Sequence, residues 1–381
     1  MITDLNIVGG GILGLAAAIQ AKQHGLTVQL FEKDPIAMGA TRRNFGILGS
    51  ATLSHPEDCW NSYAQQSISF YRNIQKQMQI SFQGRTGLYL ATNTLQAQVL
   101  NEFAQAAADY AIQAEYLNKS QVLQRYAYLN ADSGLHSGLV LTGEYSVEPD
   151  QIALQLTQYA KQIGVEIYPN ACVVKTSAAQ GMTYLELATG ECFSAQKLLI
   201  CNGASTEILY PQFLQHLGVQ RCHLNMAITQ PFRGQLDTTI YSGLSIARYP
   251  GFAICPSYSA LLAMPQDELV THYGIHVLLK QNHLGQIIVG DSHEYTALSE
   301  PTLFEQHEQI NQFIQQYCQR QLGFDLPPLL KRWQGQYLSH PEQPAFFAEV
   351  EPNIYIANAI AGKGMTTGPG WIKQQLNQHI F

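Results

Sequence analysis

Three glycines near the N-terminus have the spacing of a phosphate-binding loop. Gly9, Gly11 and Gly14 come directly after a short apolar run that resembles a strand, and a helical pattern follows them. In such a loop the first glycine makes the tight turn, the second lets the backbone approach a pyrophosphate, and the third lets the helix pack closely on the strand. Glu32 ends the next predicted strand, where its carboxylate can accept hydrogen bonds from a ribose diol. The pattern predicts a dinucleotide site and leaves NAD and FAD both open.

The segment that follows the second predicted strand is suited to lie beside an extended dinucleotide. The stretch PIAMGATRRNFGILGS is rich in glycine and small residues, with Thr41, Arg42 and Arg43 between them. A guanidinium can lie near the pyrophosphate, and a backbone with few side chains can pack against a flat ring. Asn44 is a candidate catalytic residue beside that ring. The alternative is a solvated loop with two surface arginines, in which Asn44 only fixes the loop by a hydrogen bond.

A second glycine-rich stretch, IAGKGMTTGPG, lies close to the end of the sequence. With the apolar residues before it, this stretch predicts a strand, a glycine turn and the N-terminus of a final helix. Reduced flavin carries negative charge near N1 and the C2 carbonyl, and free N–H groups at a helix N-terminus stabilise such charge. The stretch therefore favours FAD, whose second half it would cover. A structural glycine turn before a terminal helix is the alternative.

The composition excludes some classes of partner and favours a small-molecule ligand. Charged residues make up 13% of the 381 residues, the net charge is −7, and no basic stripe is present, which argues against nucleic acid and anionic membranes. The seven cysteines include no CxxC pair and no zinc-site spacing. Neither a signal peptide nor an apolar span is evident. We expect a cytoplasmic protein without a metal or membrane span, and we leave open whether it forms a homo-oligomer.

The order of the predicted elements indicates two interleaved domains. Nucleotide-binding pieces occur towards both ends of the sequence, whereas short alternating runs over residues 219–294 predict an antiparallel sheet. Helices are predicted over residues 60–80, 95–127, 149–164 and 303–323. We predict an α/β fold in which a Rossmann-like FAD-binding domain is interleaved with an α+β, antiparallel-sheet substrate domain. The FAD-binding domain comprises residues 1–84, 145–218 and 335–381, and the substrate domain comprises residues 85–144 and 219–334.

Together these residues resemble the D-amino-acid oxidase superfamily of FAD-dependent amine oxidoreductases, which includes glycine oxidase and sarcosine oxidase. The resemblance extends over nearly the whole sequence, because IVGGGILG, Glu32, GATRRNFG, SVEPDQIALQL, ACVVK, LLICNGAS and GKGMTTGPG occur in that order. The stretches RRNFGI, YGIHVLLKQN, GQIIVGDSHEY and RWQGQY are similar to those of a subgroup associated with phosphonate catabolism. The family implies an enzyme with FAD between its domains, hydride transfer from the substrate to flavin N5, and hydrolysis of the imine in water.

The resemblance also implies where this sequence departs from the family. Tyr337 stands at the position of the arginine that holds the substrate carboxylate in amino-acid oxidases, and Thr366 at that of a lysine in sarcosine oxidases. The cysteine that tethers flavin in sarcosine oxidases aligns near Gly335, so noncovalent FAD is expected. We expect the substrate to be a small amine, an aminoalkylphosphonate or an N-methylated derivative, and oxygen or another acceptor to take the electrons. The alternatives are a D-amino-acid or N-methyl amino-acid oxidase or dehydrogenase, and a flavoprotein that does not act on amines.

The candidate site residues fall into three groups. The catalytic candidates are Asn44, His276 and Tyr337. Hydrogen-bond donors that suit a phosphonate make substrate-binding candidates of Tyr249, His293, Arg332 and Lys363, although Arg332 also fits a surface ion pair and His293 a turn. The residues expected to contact the cofactor are Gly9, Gly11, Ile12, Leu13, Gly14, Glu32, Lys33, Thr41, Arg42, Asn44, Gly46, Val173, Asn202, Gly203, Gly362, Gly364, Met365, Thr366 and Thr367.

Overall fold

The computed structural model describes residues 2–381, which form two β-sheets with helices packed against them. The strands are β1 (Thr3–Val8), β2 (Val28–Phe31), β3 (Ile47–Leu48), β4 (Gln83–Ala91), β5 (Ala114–Asn118), β6 (Ser137–Ser146), β7 (Glu166–Tyr168), β8 (Val173–Ala179), β9 (Met182–Leu187), β10 (Cys192–Ile200), β11 (Gln220–Pro231), β12 (Thr238–Ser242), β13 (Leu278–Gln281), β14 (Gln286–Gly290), β15 (Glu294–Ala297), β16 (Leu329–Ser339), β17 (Phe346–Glu351) and β18 (Ile354–Asn358). The helices are α1 (Ile12–Gln23), α2 (Cys59–Gln75), α3 (Thr94–Ala106), α4 (Lys119–Arg125), α5 (Ile152–Gln162), α6 (Pro211–His216), α7 (Gly243–Ile246), α8 (Tyr258–Leu262), α9 (Glu268–Tyr273), α10 (Glu308–Tyr317) and α11 (Gly364–His379).

The first sheet contains the parallel strands. Its central order is β18, β10, β1, β2 and β7, and each of these pairs is parallel. Strand β17 adds an antiparallel edge beside β18, and β9 pairs antiparallel with β10. The carboxyl ends of parallel strands meet at one edge of a sheet, which is where ligands bind in open α/β folds. The segments that follow β1, β2, β10 and β18 therefore start from the same edge.

Helices α1, α2, α5 and α11 cover the first sheet. Helix α1 packs against both α5 and α11, and α2 packs against α11. Apolar side chains on the strands and on α1, among them Leu5, Ile7, Leu15 and Ile19, are fully buried in this core. Burial of this apolar surface, at roughly 25 cal/mol per Å², is the main force that holds the helix against the strands. The first turn of α1 is thereby fixed at the carboxyl edge of the sheet.

The second sheet is mostly antiparallel and forms a separate layer. Its order is β15, β11, β14, β13, β12, β4, β6 and β3, with β16 added on β11 and β5 on β6. The pair of β12 with β4 is parallel, whereas the other pairs in this sheet are antiparallel. The short helices α7, α8 and α9 lie between β12 and β13 in the chain. They interrupt the region that the sequence predicts to be strands alone.

Two helices predicted from the sequence are too long. The range 95–127 contains α3, the strand β5 and the short helix α4, because β5 pairs along β6 at the edge of the sheet. Asn118 then begins α4 with a capping box, in which its side chain accepts from Gln121 N and the Gln121 side chain accepts from Asn118 N. The range 303–323 contains α10 from Glu308 and a π-helical segment, Cys318–Leu322, that ends at Gly323. Strand pairing and local capping thus divide the first range, whereas the second contains a later helix start and a change of helix type.

The α/β fold class is confirmed, since a parallel sheet with helices lies beside an antiparallel sheet. The proposed domain boundaries stay a prediction, and the strand pairing does not follow them everywhere. Strand β3 lies within the predicted FAD-binding range but pairs with β6 of the second sheet. Strand β16 runs through the predicted boundary at residue 335 and pairs with β11 along its length. No helix among residues 2–381 is both long enough and apolar enough to span a bilayer.

Candidate active site

A cavity of about 700 Å³ lies between the carboxyl edge of the first sheet and one face of the second sheet. The loops that follow β1, β2, β10 and β18 line one side, which we call the loop wall. Residues from α7 to β15 and from β16 line the opposite side, which we call the side-chain wall. Cavities of roughly 300–1,000 Å³ between domains or sheets are typical of sites for small ligands and cofactors. The cavity is therefore the candidate active site.

The three N-terminal glycines play different roles in the loop wall. Gly9 has φ +102°, and a Cβ there would strike the carbonyl oxygen of Cys201 at the end of β10. A Cβ on Gly14 would strike the carbonyl oxygen of Gly9, so this glycine allows α1 to pack on its own loop. A Cβ on Gly11 would meet only Thr41 Oγ1, at 3.3 Å, and Gly11 lines the cavity. Gly11 is thus the position where the backbone can approach a ligand.

Glu32 and Thr41 hold the glycine loop in shape from the side of the cavity. Glu32 is buried, and its Oε2 accepts a hydrogen bond from Gly10 N at 2.6 Å while its Oε1 accepts one from Asp34 N at 3.0 Å. Thr41 Oγ1 accepts from Ile12 N at 2.8 Å. The N-cap residue Gly11 has no side chain that could bond the other first-turn amides, so within residues 2–381 those of Leu13 and Gly14 are left for a ligand. These features form an anion-binding helix N-terminus beside an acidic residue.

The C-terminal glycine loop places a second helix N-terminus at the same cavity. A short 3₁₀ segment, Ala361–Lys363, leads directly into α11, whose first residues Gly364, Met365 and Thr366 line the cavity. No side chain caps α11. Lys363 also lines the cavity, where its Nζ lies 4.6 Å from the centroid of the Trp60 ring, and burial lowers its pKa. The loop wall therefore carries two positive helix ends.

A buried carboxylate between two histidines forms the centre of the side-chain wall. Asp291 Oδ1 lies 2.9 Å from His276 Nε2, and Asp291 Oδ2 lies 3.8 Å from His293 Nε2. The other ring nitrogens are also engaged, since His276 Nδ1 lies 3.2 Å from Ser245 Oγ and His293 Nδ1 lies 3.2 Å from the Gly274 carbonyl oxygen. These contacts fix the orientation of both rings. Both histidines and Asp291 line the cavity.

The charges of this cluster follow from its surroundings. Burial by itself raises the pKa of Asp291, but His276, His293 and Arg248 outweigh it, so the pKa lies below its usual range. Burial and then the charge of Arg248 lower the pKa of His293 to about 3. At neutral pH the wall therefore presents a carboxylate beside a neutral His293. One ring nitrogen of each histidine and a carboxylate oxygen of Asp291 lie within 4.8 Å of one another, a spacing that a metal site also shows. The positive charge of the nearby Arg248 guanidinium opposes the binding of a divalent cation here.

Arg248 brings a positive charge to the same wall. Its side chain is surrounded by protein yet solvent-accessible, because it lines the open cavity. Its Nη2 donates a long hydrogen bond of 3.4 Å to Tyr295 Oη. Burial by itself lowers the pKa of Arg248. Tyr337, Tyr295 and Asp291 raise it by more than burial lowers it, so the pKa lies above its usual value and the guanidinium keeps its charge. Tyr249, next in the chain, packs edge-on against His276 with ring centroids 6.0 Å apart.

The structure brings most of the sequence-predicted residues to the cavity. Those that line it are Gly9, Gly11, Ile12, Leu13, Glu32, Lys33, Thr41, Asn44, Val173, Asn202, Gly203, Tyr249, His276, His293, Tyr337, Gly362, Lys363, Gly364, Met365 and Thr366.

Both polar atoms of the Asn44 side chain form hydrogen bonds with the backbone of its own loop. Its Nδ2 donates to the carbonyls of Ala40 and Thr41, both at 2.8 Å, and its Oδ1 accepts from Gly46 N at 2.5 Å. This arrangement fits the alternative interpretation, in which Asn44 fixes the loop.

Five predicted residues do not line the cavity. Gly14 and Gly46 are occupied by backbone packing, since a Cβ on Gly46 would strike the Val147 carbonyl oxygen. Thr367 is fully buried and donates to the Lys363 carbonyl at 3.0 Å. Arg42 turns away and donates from Nη1 to the Asp150 carbonyl at 2.9 Å.

Arg332 lies outside the cavity as well. Its Nη2 is 2.8 Å from Glu308 Oε1, and both side chains are substantially exposed, so it is a surface ion pair. Neither arginine is therefore placed to bind a ligand here. Arg43, the neighbour of Arg42, lines the cavity instead.

Sequence reasoning missed the residues that complete the side-chain wall. Arg248, Asp291 and Tyr295 line the cavity but were not among the candidates. A weak signal was available, because Asp291 and Tyr295 flank His293 in the stretch GDSHEY and Arg248 precedes Tyr249. Ser245, which contacts His276, gave no signal, since an isolated serine in an apolar run is common. These residues meet because Ser245 of α7 contacts His276 and Val277, which lie just before β13.

Comparison with known proteins agrees with the architecture. A family model described as FAD dependent oxidoreductase, abbreviated DAO, matches residues 4–373. The chain therefore belongs to the DAO family of FAD-dependent oxidoreductases. FAD is the cofactor of this family.

Individual relatives are distant. Glycerol 3-phosphate oxidase from Mycoplasma pneumoniae is 26% identical over 222 residues, which cover 56% of each protein, so the match extends over about half of that relative. Glycine oxidase from Bacillus licheniformis is 19% identical over 291 residues, covering 75% of this chain and 69% of that protein. These relatives differ in substrate, and neither assigns one to this chain.

Solved structures show the same fold. Glycine oxidase from Geobacillus kaustophilus superposes with a TM-score of 0.77 at 16% identity, covering 99% of this chain and 94% of that one. L-α-glycerophosphate oxidase from Mycoplasma pneumoniae, with FAD bound, gives a TM-score of 0.77 at 17% identity, covering 100% and 95%. At these identities the likeness establishes the fold.

FAD fits the residues that are present in the loop wall. Gly11 leaves room for a pyrophosphate next to the uncapped first turn of α1, and Glu32 lies where a ribose diol can donate to it. The uncapped start of α11 suits the pyrimidine end of a flavin, which gains negative charge on reduction. Arg43, from the segment after β2, supplies a guanidinium to the same cavity. The loop wall is therefore where FAD would bind.

Proposed function

We propose that the protein oxidises the C–N bond of a small amine, and that the preferred substrate is an aminoalkylphosphonate or an N-methylated derivative. FAD held by the loop wall would supply the acceptor for the hydride that leaves the carbon next to the nitrogen. The observation that carries the proposal is the Asp291 carboxylate, which is buried between His276 and His293 opposite the loop wall. A carboxylate in a cavity of this kind can receive an ammonium group. Its two imidazoles can take up a proton.

Amine oxidation requires the nitrogen to lose a proton before the hydride leaves, since most aliphatic amines are protonated at neutral pH. The Asp291 carboxylate attracts the ammonium, and a neutral imidazole beside it can accept the proton. His276 is the better placed of the two, because Asp291 Oδ1, 2.9 Å from its Nε2, stabilises the charge that the ring gains. With the Nε2 proton held by that carboxylate, the new proton goes to Nδ1, and the Ser245 hydroxyl, 3.2 Å away, can donate its proton there while it takes up the one from the amine. We assign His276 and Asp291 as the catalytic pair.

The preference for a phosphonate rests first on two cations that the resemblance implies and that this chain lacks. At two positions where the resemblance implies a cation for an amino-acid substrate, the chain has Tyr337 and Thr366. Both line the cavity, and Thr366 Oγ1 is engaged with the Ile47 carbonyl at 3.4 Å. The relatives also point to two substrate classes, as their names describe oxidation of glycine and of a phosphorylated alcohol. An aminoalkylphosphonate combines the amine of the first with the oxyanion of the second.

A second candidate function is oxidation of a phosphorylated alcohol. The match to glycerol 3-phosphate oxidase favours it, and a histidine paired with a carboxylate can also accept the proton of a hydroxyl group. A D-amino acid or an N-methyl amino acid is the other alternative, supported by the match to glycine oxidase. Oxygen or another acceptor completes the turnover in each case. The chain could act as a homo-oligomer.

The experiment that tests the proposal is anaerobic mixing of the purified holoenzyme with single substrates while flavin absorbance is followed. The panel is 2-aminoethylphosphonate, its N-methyl form, glycine, sarcosine, D-alanine and glycerol 3-phosphate. We expect the two phosphonates to bleach the flavin on the order of a hundredfold faster than glycine or D-alanine, from two or three charge-assisted hydrogen bonds to the phosphonate. Fastest bleaching by glycerol 3-phosphate would support the alcohol function. Fastest bleaching by D-alanine or sarcosine would refute the phosphonate preference.

We also propose that FAD is bound without a covalent bond. The position at which the resemblance implies a flavin-tethering cysteine is near Gly335, where this chain has no side chain. A Cβ added at Gly335 would lie against Leu224 and the Arg43 carbonyl rather than in open space. Acid precipitation of the holoenzyme should therefore release the flavin into the supernatant. Yellow colour that stays in the washed pellet would contradict this proposal.

A further inference from the structure

Arg248 is an arginine of the active-site cavity that contacts no carboxylate directly within residues 2–381. Within residues 2–381 its guanidinium forms no ion pair, and the 3.4 Å contact with Tyr295 Oη is its hydrogen bond to a side chain. The nearest candidate, Asp291, is held by the two histidines instead. A charged guanidinium that lines a cavity can form strong, charge-assisted hydrogen bonds with an anion that enters it. An anionic ligand can serve as the counter-ion of Arg248.

The other cations of the cavity are already engaged. Arg221 Nη2 lies 2.8 Å from Glu207 Oε1, and Lys33 Nζ lies 3.2 Å from Asp34 Oδ2. Lys363 lies over the Trp60 ring. Arg43 belongs to the loop wall, where its Nη1 is 3.5 Å from the Gln334 carbonyl. Arg248 is thus the cation available on the side-chain wall.

The backbone around Arg248 is held firmly in place. Arg248 N donates to the Ser245 carbonyl at 3.1 Å at the end of α7. Tyr258 Oη donates to the carbonyl of Ala247 at 3.1 Å and to that of Tyr249 at 3.4 Å. Because Ser245 also contacts His276 through its side chain, α7 fixes the guanidinium and the catalytic pair together. Such rigid support is expected of a residue that positions a substrate.

We infer that Arg248, assisted by the phenol groups of Tyr295 and Tyr337, binds the oxyanion group of the substrate. The inference deepens the proposed function and rests on it for the identity of the substrate, but the anion site itself follows from the cavity. A guanidinium can donate two parallel hydrogen bonds and each phenol one, which suits a tetrahedral oxyanion with three oxygens better than a carboxylate with two. Arg248, at the end of α7, thus supplies the positive charge that the resemblance implies at position 337, where this chain has a tyrosine. Arg248 becomes the specificity-determining residue.

The test is a binding measurement that needs no turnover. Holoenzyme is titrated with methylphosphonate, inorganic phosphate and acetate, and binding is followed by perturbation of the flavin spectrum and by calorimetry. The variants are Arg248→Met and Arg248→Lys, with Arg332→Met as the matched control, since Arg332 is a surface ion-pair residue. Flavin content and thermal unfolding of each variant show whether the fold is kept.

We expect Arg248→Met to weaken methylphosphonate binding on the order of 10- to 100-fold, from the loss of charge-assisted hydrogen bonds. Arg248→Lys should fall between this variant and the wild type, because a lysine keeps the charge but not the paired donors. Arg332→Met should bind like the wild type. Acetate should bind more weakly than methylphosphonate to the wild type.

Three results would overturn the inference: no oxyanion binding to the wild-type holoenzyme, equal binding by folded Arg248→Met, or equal binding by Arg248→Lys if the Met variant fails to fold. The outcome is separable from that of the amine proposal. If oxyanions bind through Arg248 but no amine bleaches the flavin, the anion site stands and the amine reaction is wrong. If amines bleach the flavin equally fast in the folded Arg248→Met variant, the amine reaction stands and the anion site is wrong.

Discussion

The loop wall and the side-chain wall of the cavity differ in how their groups are brought together. In the loop wall, Gly9, Gly11, Gly14 and Glu32 lie within one strand–helix–strand unit, and the groups that face the ligand are mainly backbone amides. In the side-chain wall, Arg248 follows α7, His276 precedes β13, and Asp291 and His293 follow β14. The first kind of site is determined by local spacing. The second kind depends on strand pairing and packing far apart in the sequence.

The largest effect is expected inside the glycine loop, at Gly14. Alanine there would place its Cβ against the Gly9 carbonyl oxygen, and backbone cannot yield without moving α1 off β1. We expect Gly14→Ala to lose about 3 kcal/mol or more of the free energy of unfolding, at or beyond the usual limit for overpacking. The measurement is urea unfolding of flavin-free protein.

Gly11→Ala is the matched control for Gly14→Ala. Gly11 has φ −74° and ψ −177°, which any residue can adopt, and its Cβ would lie 3.3 Å from Thr41 Oγ1. We expect a stability close to that of the wild type. Equal stability of the two alanine variants would mean that the loop tolerates displacement, and that the spacing of its glycines says little about packing.

The second prediction separates ligand approach from packing. A valine at Gly11 would extend into the cavity, where a pyrophosphate would approach the first turn of α1. We expect Gly11→Val to fold like the flavin-free wild type but to contain little or no flavin, on the order of a hundredfold loss in affinity from a lost anion contact and a steric clash. The ratio of flavin to protein absorbance, with circular dichroism as the check on folding, measures this. A fully yellow variant would make Gly11 a structural residue.

These two walls also explain how much could be predicted from the sequence. The parallel sheet, the glycine loop, Glu32 and the C-terminal glycine turn were predictable, because each depends on residue types a few positions apart. His276 and His293 were identified from the resemblance, but Asp291 between them was not. Its role depends on the backbone contacts of β13 with β14, where Asp291 N donates to the His276 carbonyl at 2.9 Å.

The same limit applies to the arginines. Arg42 and Arg43 are adjacent in the sequence, but only Arg43 lines the cavity. The turn that they occupy decides this, because Arg42 N donates to the Gly39 carbonyl and the Arg42 guanidinium donates to the Asp150 carbonyl. Arg332 precedes a tryptophan in a strand, yet its side chain points to Glu308 at the surface. Side-chain direction on a strand reverses at each residue, so one position of register decides between the cavity and solvent.

The third prediction tests the side-chain wall at Asp291. Asparagine keeps the shape of the side chain but removes the charge that attracts the ammonium and stabilises protonated His276. We expect Asp291→Asn to reduce the rate of flavin reduction by the best amine of the panel on the order of 10²- to 10³-fold, as for loss of a general base. The residual rate should rise with pH, because the amine must then lose its proton in solution.

Glu294→Gln is the control for Asp291→Asn. Glu294 pairs with His307, at 3.5 Å between Oε2 and Nε2, and does not line the cavity. We expect this variant to keep the wild-type rate and pH profile in anaerobic stopped-flow measurements. An Asp291→Asn rate within threefold or so of the wild type would show that the carboxylate only holds the histidines in place, a role that structural contacts alone can fill.

The smallest expected effect concerns Glu144, which holds the segment that follows β3. Glu144 is buried on β6, where its Oε2 accepts from Ser50 N at 2.7 Å and its Oε1 from Ala51 N at 3.0 Å, in the segment that leads to the cavity residues Thr52 and Leu53. Burial raises the pKa of Glu144 to about 7, against the two backbone hydrogen bonds that lower it. The folded-state pKa is thus above the unfolded value. The contribution to stability is therefore complete below the unfolded pKa and is lost as the pH rises through about 7.

The prediction is a pH-dependent difference between the wild type and Glu144→Gln. Glutamine stays neutral, so it does not lose stability in this pH window. Between about pH 5.5 and 8 we expect the free energy of unfolding of the wild type to fall relative to the variant by about 2 kcal/mol, because about 1.5 pH units of this window lie below the folded-state pKa. Urea unfolding at both pH values measures the difference, with the exposed Glu115→Gln as a control that should stay parallel to the wild type. A constant difference would show that Glu144 is ionised in the folded protein, and that the two backbone hydrogen bonds outweigh its burial.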